Sequence, residues 1–149
     1  MRTNILLSEA IKVYPLSEAP LYILIPFAAE RISAGFPSPA NDYIESRIDL
    51  NEELIKNPSS TFFARVAGYS MRGAGIDEND ILIIDKSLTP KNGCIAVCCL
   101  DGEFTLKRML IKKNCIWLVP ENNDFNPIIV TPDNEFVVWG IVTYIIKQT

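Results

Sequence analysis

Ser70 and Lys107 are the residues of this chain whose types and settings could support hydrolysis of an amide bond. The sequence contains no histidine, which excludes a Ser-His-Asp triad, a Cys-His dyad and histidine-bearing zinc sites. A serine nucleophile can instead be activated by a neutral lysine that acts as general base. Ser70 follows Gly68 after a run of β-type residues, where a sharp turn would let backbone N–H groups face a substrate carbonyl.

Lys107 lies in the middle of a second β-type run, where apolar neighbours would partly desolvate its amine. Desolvation is needed, because a lysine with a pKa of about 10.4 is neutral in only roughly one molecule in a few thousand at pH 7. Each residue also has a simpler interpretation. A serine after a glycine is most often a turn residue, and a lysine within a strand usually extends its amine to solvent. Residue type alone favours these simpler interpretations.

The elements that must position the two residues are short strands. Seven β-type runs follow Pro58, and Asp101-Gly102 between two of them is typical of a two-residue hairpin. Alternation places Thr105 and Met109 on the same face as Lys107. We therefore predict a mostly β, antiparallel fold, as a partly closed barrel or sandwich. The predicted strands are residues 61–67, 81–85, 94–100, 103–110, 115–119, 127–130 and 136–146.

Residues 1–41 differ in composition from the rest, since they contain five of the ten prolines. We expect an extended N-terminal arm there, with one short helix over about residues 26–33 and an accessible stretch at 33–39. A second short helix is predicted near residues 51–55. The domain proper would then comprise residues 42–149.

The net charge of -4 and the lack of a dense basic patch argue against direct sequence-specific DNA binding. The four cysteines lack CxxC spacing, so we expect reduced core thiols in a cytoplasmic protein. The apolar run at residues 20–29 contains two prolines and lacks the basic start of a secretory signal. No stretch of about 18 apolar residues predicts a membrane span. We expect no metal and no cofactor.

Five motifs in order make the chain resemble the LexA/UmuD family of self-cleaving serine peptidases, in particular its UmuD-like plasmid and phage members. The resemblance extends from about residue 35 to 146, and the ordered set is highly specific. The motifs are AGFPSPA at residues 34–40, YIE at 43–45, RIDLN at 47–51, GYSM at 68–71 and DGEFTLKR at 101–108.

The resemblance implies a role for each matching residue. Ser70 would be the nucleophile, Lys107 the base, and Ala34-Gly35 the self-cleavage site, while Gly68 and Met71 would support the turn and oxyanion hole. It also implies a coiled, mostly β catalytic domain that forms a homodimer. A RecA filament on single-stranded DNA would trigger cleavage, and the shortened dimer would serve a UmuC-like Y-family DNA polymerase in translesion synthesis.

Two departures from the family pattern leave the dyad untouched: Asn79-Asp80 and Gly93-Cys94 stand where relatives often have Gly-Asp. With only 34 residues before Gly35, we expect no helix-turn-helix domain and hence no repressor. Two alternatives stay open. One is a non-catalytic polymerase-binding module with a vestigial dyad, and the other is a conventional peptidase acting on other proteins, against which the missing membrane anchor weighs.

Two further features allow a structural or a functional interpretation. The apolar residues 136–146 could supply a dimer surface or form a core strand. Arg108 and Glu103 are interpreted as a solvated pair at a strand edge or as unrelated charges.

Overall fold

The computed structural model describes residues 5–6, 11–15, 24–28, 32–36 and 45–149. The chain divides into two compact units, one made of Met1–Leu16 with Asn57–Thr149 and the other of Ser17–Lys56. Among the described residues, no helix combines the length and the apolar character that crossing a membrane requires.

Strands dominate the described residues, as the sequence predicts. The elements are β1 (Ile5–Leu6), β2 (Ile11–Pro15), β3 (Leu24–Ala28), β4 (Glu45–Asp49), α1 (Leu50–Leu54), β5 (Thr61–Val66), β6 (Ile81–Asp85), β7 (Ile95–Leu100), β8 (Glu103–Ile111), β9 (Ile116–Val119), β10 (Ile128–Val130) and β11 (Phe136–Ile146), with 3-10 turns at Pro58–Ser60 and Arg72–Ala74. All seven predicted strands are present, each within one residue of its predicted bounds.

The larger unit is built on one nine-stranded antiparallel sheet in the order β1-β2-β5-β6-β11-β7-β8-β9-β10. The two ends of this order do not pair, so the sheet is not closed into a barrel. Four strand-to-strand steps separate β5 from β8, which in a flat sheet would be about 19 Å. Side chains of these two regions nevertheless meet, as described below, because the sheet is coiled.

The strands of this sheet carry apolar residues on both faces. In β7, Val97 belongs to one core cluster while Ala96 and Cys98 belong to another. Alternation along the strand produces this division, since successive side chains point to opposite faces. Ala96 is the cross-strand neighbour of Lys107 and is fully buried. The Lys107 side chain therefore leaves β8 beside a residue that is shielded from solvent.

The smaller unit corrects one prediction. Residues 24–28 form strand β3 rather than the start of a helix over 26–33, and β3 pairs with β4 through five residues. Pro26 is compatible with a strand that has a single partner, since it need not donate to a second ladder. The other helix prediction is confirmed: α1 follows Asp49, whose carboxylate accepts a hydrogen bond from the Asn51 backbone N–H at 2.9 Å.

β11 is a central strand, because it pairs with β6 on one side and β7 on the other. Ile141 and Gly140 are buried, whereas Tyr144, Ile145 and Ile146 at its end are 37–42% exposed. The core-strand interpretation therefore describes the middle of β11, and the exposed apolar end is left as the part that could meet a second copy.

Candidate active site

Ser70 lies in the tight connection that leaves β5. Gly68 adopts a left-handed conformation with φ of +92°, which a residue with a Cβ rarely adopts. Met71 is 2% exposed and packs in the core cluster with Val66. The turn is thus anchored on one side by a buried side chain, and Ser70 is left half-buried at its surface.

Lys107 is the fifth residue of β8 and is only 8% exposed. Its ammonium donates hydrogen bonds to Ser70 Oγ at 3.2 Å, Thr105 Oγ1 at 2.8 Å and the Leu106 carbonyl oxygen at 3.1 Å. Two residues that are 37 positions apart in the chain are therefore in direct contact. The structure does not place the lysine amine in solvent.

These three contacts suit a neutral amine, which has two N–H bonds and one lone pair. The Leu106 carbonyl can only accept, and Thr105 Oγ1 accepts in the present arrangement. If Lys107 keeps these two hydrogen bonds after losing a proton, its lone pair points at the remaining partner, Ser70. The hydroxyl can then donate to the amine, which is the geometry of a nucleophile beside its general base.

Burial lowers the pKa of Lys107 below its ordinary value, because the charged form loses hydration. Cys98 acts in the opposite direction, with a smaller effect on the pKa than burial has. Burial also raises the pKa of Cys98 to about 12, so this thiol is uncharged near neutral pH and does not pair with the lysine. The neutral form of Lys107 is favoured by its place in the fold rather than by a neighbouring charge.

A small cleft opens beside the two side chains. Within the described residues, neither the Ser70 nor the Met71 backbone N–H donates to another protein group. Among these residues, both N–H groups are thus left without an acceptor. The cleft is lined by Val66, Ala67, Gly68, Ser70, Met71, Phe104, Thr105, Leu106 and Lys107.

The predicted cleavage site belongs to the smaller unit. Ala34 and Gly35 are exposed, and the flanking Ile32 and Phe36 are 89% and 93% exposed. Residues 34–36 bend, and Ser33 Oγ donates to the Phe36 carbonyl oxygen at 2.5 Å. The stretch is accessible, as predicted, but it forms a turn rather than an extended segment. The prediction for residues 37–39 lies outside the described residues.

Three contacts that sequence reasoning missed surround the dyad. Alternation placed Thr105 on the face of Lys107, but its hydrogen bond with the lysine amine was not predicted. Glu121 and Asn122 gave no signal: the Glu121 N–H donates to the Ser70 carbonyl at 2.8 Å, and Asn122 Nδ2 donates to the Tyr69 carbonyl at 2.8 Å. Arg108 pairs with Glu121, and no ion pair within 45–149 joins Arg108 to Glu103, so the strand-edge interpretation of that pair is wrong.

The two departures from the family pattern have a local explanation. Asn79 has a φ of +71°, and asparagine tolerates the left-handed region better than most residues with a side chain. Gly93 keeps a positive φ of +86°, so its turn is retained beside Cys94. All four cysteines carry free thiols, although only Cys98 is fully buried.

Sequence comparison identifies one family model and several relatives that match most of this chain. The family model described as Peptidase S24-like matches residues 26–143, a range that includes Ala34-Gly35, Ser70 and Lys107. Protein MucA of Salmonella typhimurium is 47% identical over 122 residues, 80% of this chain and 82% of MucA. Protein ImpA of Shigella flexneri is 40% identical over 125 residues, 83% of this chain and 84% of ImpA. Protein SamA of Salmonella typhimurium is 39% identical over 132 residues, 89% of this chain and 91% of SamA.

Proposed function

Because the chain belongs to the Peptidase S24-like family, we propose that it is a self-cleaving Ser-Lys peptidase that removes its own N-terminal arm at Ala34-Gly35. The observation that carries the proposal is the 3.2 Å contact between Ser70 Oγ and the buried Lys107 amine. Among the described residues, Lys107 has no acidic partner. A buried amine of this kind is costly for a fold to maintain, and its use as a general base accounts for that cost.

The reaction proceeds in two steps. Neutral Lys107 takes the hydroxyl proton of Ser70, and Oγ forms a bond to the Ala34 carbonyl carbon. The negative charge that develops on the carbonyl oxygen accepts hydrogen bonds from the Ser70 and Met71 N–H groups. Lys107 then protonates the Gly35 nitrogen as the Ala34–Gly35 bond breaks, which leaves an ester between Ala34 and Ser70.

The second step is hydrolysis of the ester by water. Lys107 removes a proton from water, the hydroxide attacks the ester carbon, and the proton returns to Ser70 Oγ. The products are a peptide of residues 1–34 with a terminal carboxylate and a chain of 115 residues that begins at Gly35, from 149 residues in all. The Ala34 carbonyl must reach Ser70 for the reaction to start, so we expect the conformation of the arm to be the point of control.

The cellular role follows from the resemblance to UmuD-like proteins. A RecA filament on single-stranded DNA would favour the cleavable arm conformation in the cytoplasm after DNA damage. The processed homodimer would then act as accessory subunit of a UmuC-like Y-family polymerase in translesion synthesis. The net charge of -4 is compatible with a protein that meets DNA through such partners.

Replacing Gly35 by valine tests the cleavage site. We expect cleavage to slow at least about tenfold, since a β-branched side chain at residue 35 crowds the approach of the Ala34 carbonyl to Ser70. The fold should tolerate the change, because a Cβ at Gly35 would meet nothing within 4 Å. Intact mass over time measures the rate, with Leu88→Val, at an exposed position outside the arm, as control. An unchanged rate, or a fragment that begins elsewhere, would move the site away from Ala34-Gly35.

Cleavage should also change the edge of the sheet. β2 covers β5 through the pairs from Ile11↔Val66 to Pro15↔Phe62, and β2 lies in the part that cleavage detaches. The β5 amides that face β2 should then exchange at least about tenfold faster in the processed protein. Hydrogen exchange of the intact and processed forms measures this, with the β7 amides as internal reference. Equal protection of β5 would mean that residues 1–34 stay bound after cleavage.

A further inference from the structure

We propose that the ion pair between Arg108 and Glu121 is a brace that holds Ser70 at its working distance from Lys107. This inference rests on the proposed function, because it assigns positioning residues to the same reaction. Arg108 follows Lys107 directly on β8 and binds the Glu121 carboxylate, while the Glu121 backbone N–H donates to the Ser70 carbonyl at 2.8 Å. With the contact between Ser70 and Lys107, these links close a ring.

The ring joins the two halves of the dyad through covalent and polar contacts only. On the base side, Lys107 and Arg108 share a peptide bond, and the Arg108 guanidinium is fixed further by a 2.7 Å hydrogen bond to the Gly93 carbonyl. On the nucleophile side, Glu121 is bound at both of its backbone groups. A shift of Glu121 therefore moves Ser70 relative to Lys107.

Gly73 shows how closely the nucleophile's turn is held against Glu121. Its N–H donates to the Glu121 carbonyl oxygen at 2.7 Å, and a Cβ at residue 73 would lie 2.5 Å from that oxygen. Asn122 adds a third link, to the Tyr69 carbonyl at 2.8 Å. The segment after β9 is thus the surface on which the Ser70 turn rests, and Arg108 is the side chain that anchors this segment to β8.

The brace acts on position and leaves the basicity of Lys107 unchanged. Successive side chains of a strand leave it on opposite faces, and burial and Cys98, rather than Arg108 or Glu121, are what shift the pKa of Lys107. A displacement of about 1 Å at a reacting group can cost on the order of 100-fold in rate. Loss of the brace should therefore lower the cleavage rate at every pH without moving the pH at which it is half-maximal.

The first test measures the rate of self-cleavage against pH for Arg108→Ala and Glu121→Ala. We expect the plateau rate to fall at least about tenfold with an unchanged midpoint, and Glu121→Gln to recover part of the loss, since an amide oxygen still accepts from arginine. Glu103→Ala, an exposed acid on the same strand, is the matched control. An unchanged plateau, or a moved midpoint at full plateau, would overturn the proposal.

The second test does not depend on cleavage. In Ser70→Ala protein, which cannot cleave, the Glu121 and Gly73 amides should exchange at least about tenfold faster when Arg108 is replaced by alanine or, if that variant fails to fold, by lysine. Equal protection with and without Arg108 would overturn the brace. If the wild-type chain never cleaves while these amides respond as expected, the proposed function fails and the brace stands as a structural element.

Discussion

Replacing Ser70 by alanine is expected to abolish cleavage between Ala34 and Gly35, with a rate lower by on the order of 10⁴-fold or more. Alanine has no hydroxyl to attack the carbonyl, so the ester between Ala34 and residue 70 cannot form. The fold should be unaffected, because the only hydrogen-bond partner of the Ser70 side chain within the described residues is Lys107. Intact mass over time measures the loss.

Ser59→Ala is the matched control for Ser70→Ala. Ser59 is exposed, and its side chain has no hydrogen-bond partner among the described residues. We expect this variant to cleave at the wild-type rate. Retained cleavage in Ser70→Ala protein, with the fragment still beginning at Gly35, would show that another group is the nucleophile.

Replacing Lys107 by methionine should cause a loss as large as that of Ser70→Ala. Methionine approximates the length and volume of lysine without its amine, and it suits a site that is 8% exposed. The variant should therefore fold at least as stably as the wild type near neutral pH, because it removes the cost of a buried charge. Lys112→Met, at an exposed position, serves as control. Cleavage by the Lys107→Met variant at a rate near wild type would exclude the lysine as base.

The role of Lys107 also fixes the sign of the pH dependence. The amine must be neutral, so the rate should rise with pH and level off once Lys107 is deprotonated. Because burial lowers the pKa of Lys107, the half-maximal rate should occur below the ordinary lysine value of about 10.4. A flat profile in this range would contradict the assignment.

Stability gives an independent check on the same group. The unfolded chain holds the Lys107 proton up to a higher pH than the folded chain does, so stability rises with pH between the two values. In Ser70→Ala protein, the stability advantage of Lys107→Met should be fully present below the folded pKa of Lys107 and should shrink as pH rises through the window above it. Denaturation at several pH values measures the difference in unfolding free energy between Ser70→Ala protein with and without Lys107→Met. The contributions of the other titrating groups are the same in both proteins and cancel in this difference.

The strands of the larger unit were predictable from sequence because their signals are local. Asp101-Gly102 marks the hairpin between β7 and β8, and the apolar runs between turns have the lengths of strands. The arm was not predictable in the same way. Residues 24–28 contain a proline and apolar residues that suit several conformations, and their pairing with Glu45–Asp49 decides among them.

In the candidate site, too, the residues are predictable from local sequence, whereas the contacts between them are not. Residue type and setting identify Ser70 and Lys107 as candidates, but the distance between them depends on the coiling of a sheet in which four steps separate β5 from β8. The pairing of Arg108 with Glu121, which are 13 residues apart, likewise depends on the register of β8 against β9. Resemblance to a family supplied the pairing of the dyad, and no family motif contained Glu121.

The most direct test of the central claim is the intact mass of the purified protein before and after incubation with RecA, single-stranded DNA and nucleotide. We predict a new chain of 115 residues beginning at Gly35, out of 149, that is absent when Ser70→Ala or Lys107→Met protein is used. An unchanged mass of the wild-type chain, with the same RecA filament shown to be active on a known substrate, would contradict self-cleavage. That result would instead favour an accessory module that binds the polymerase with an inactive dyad.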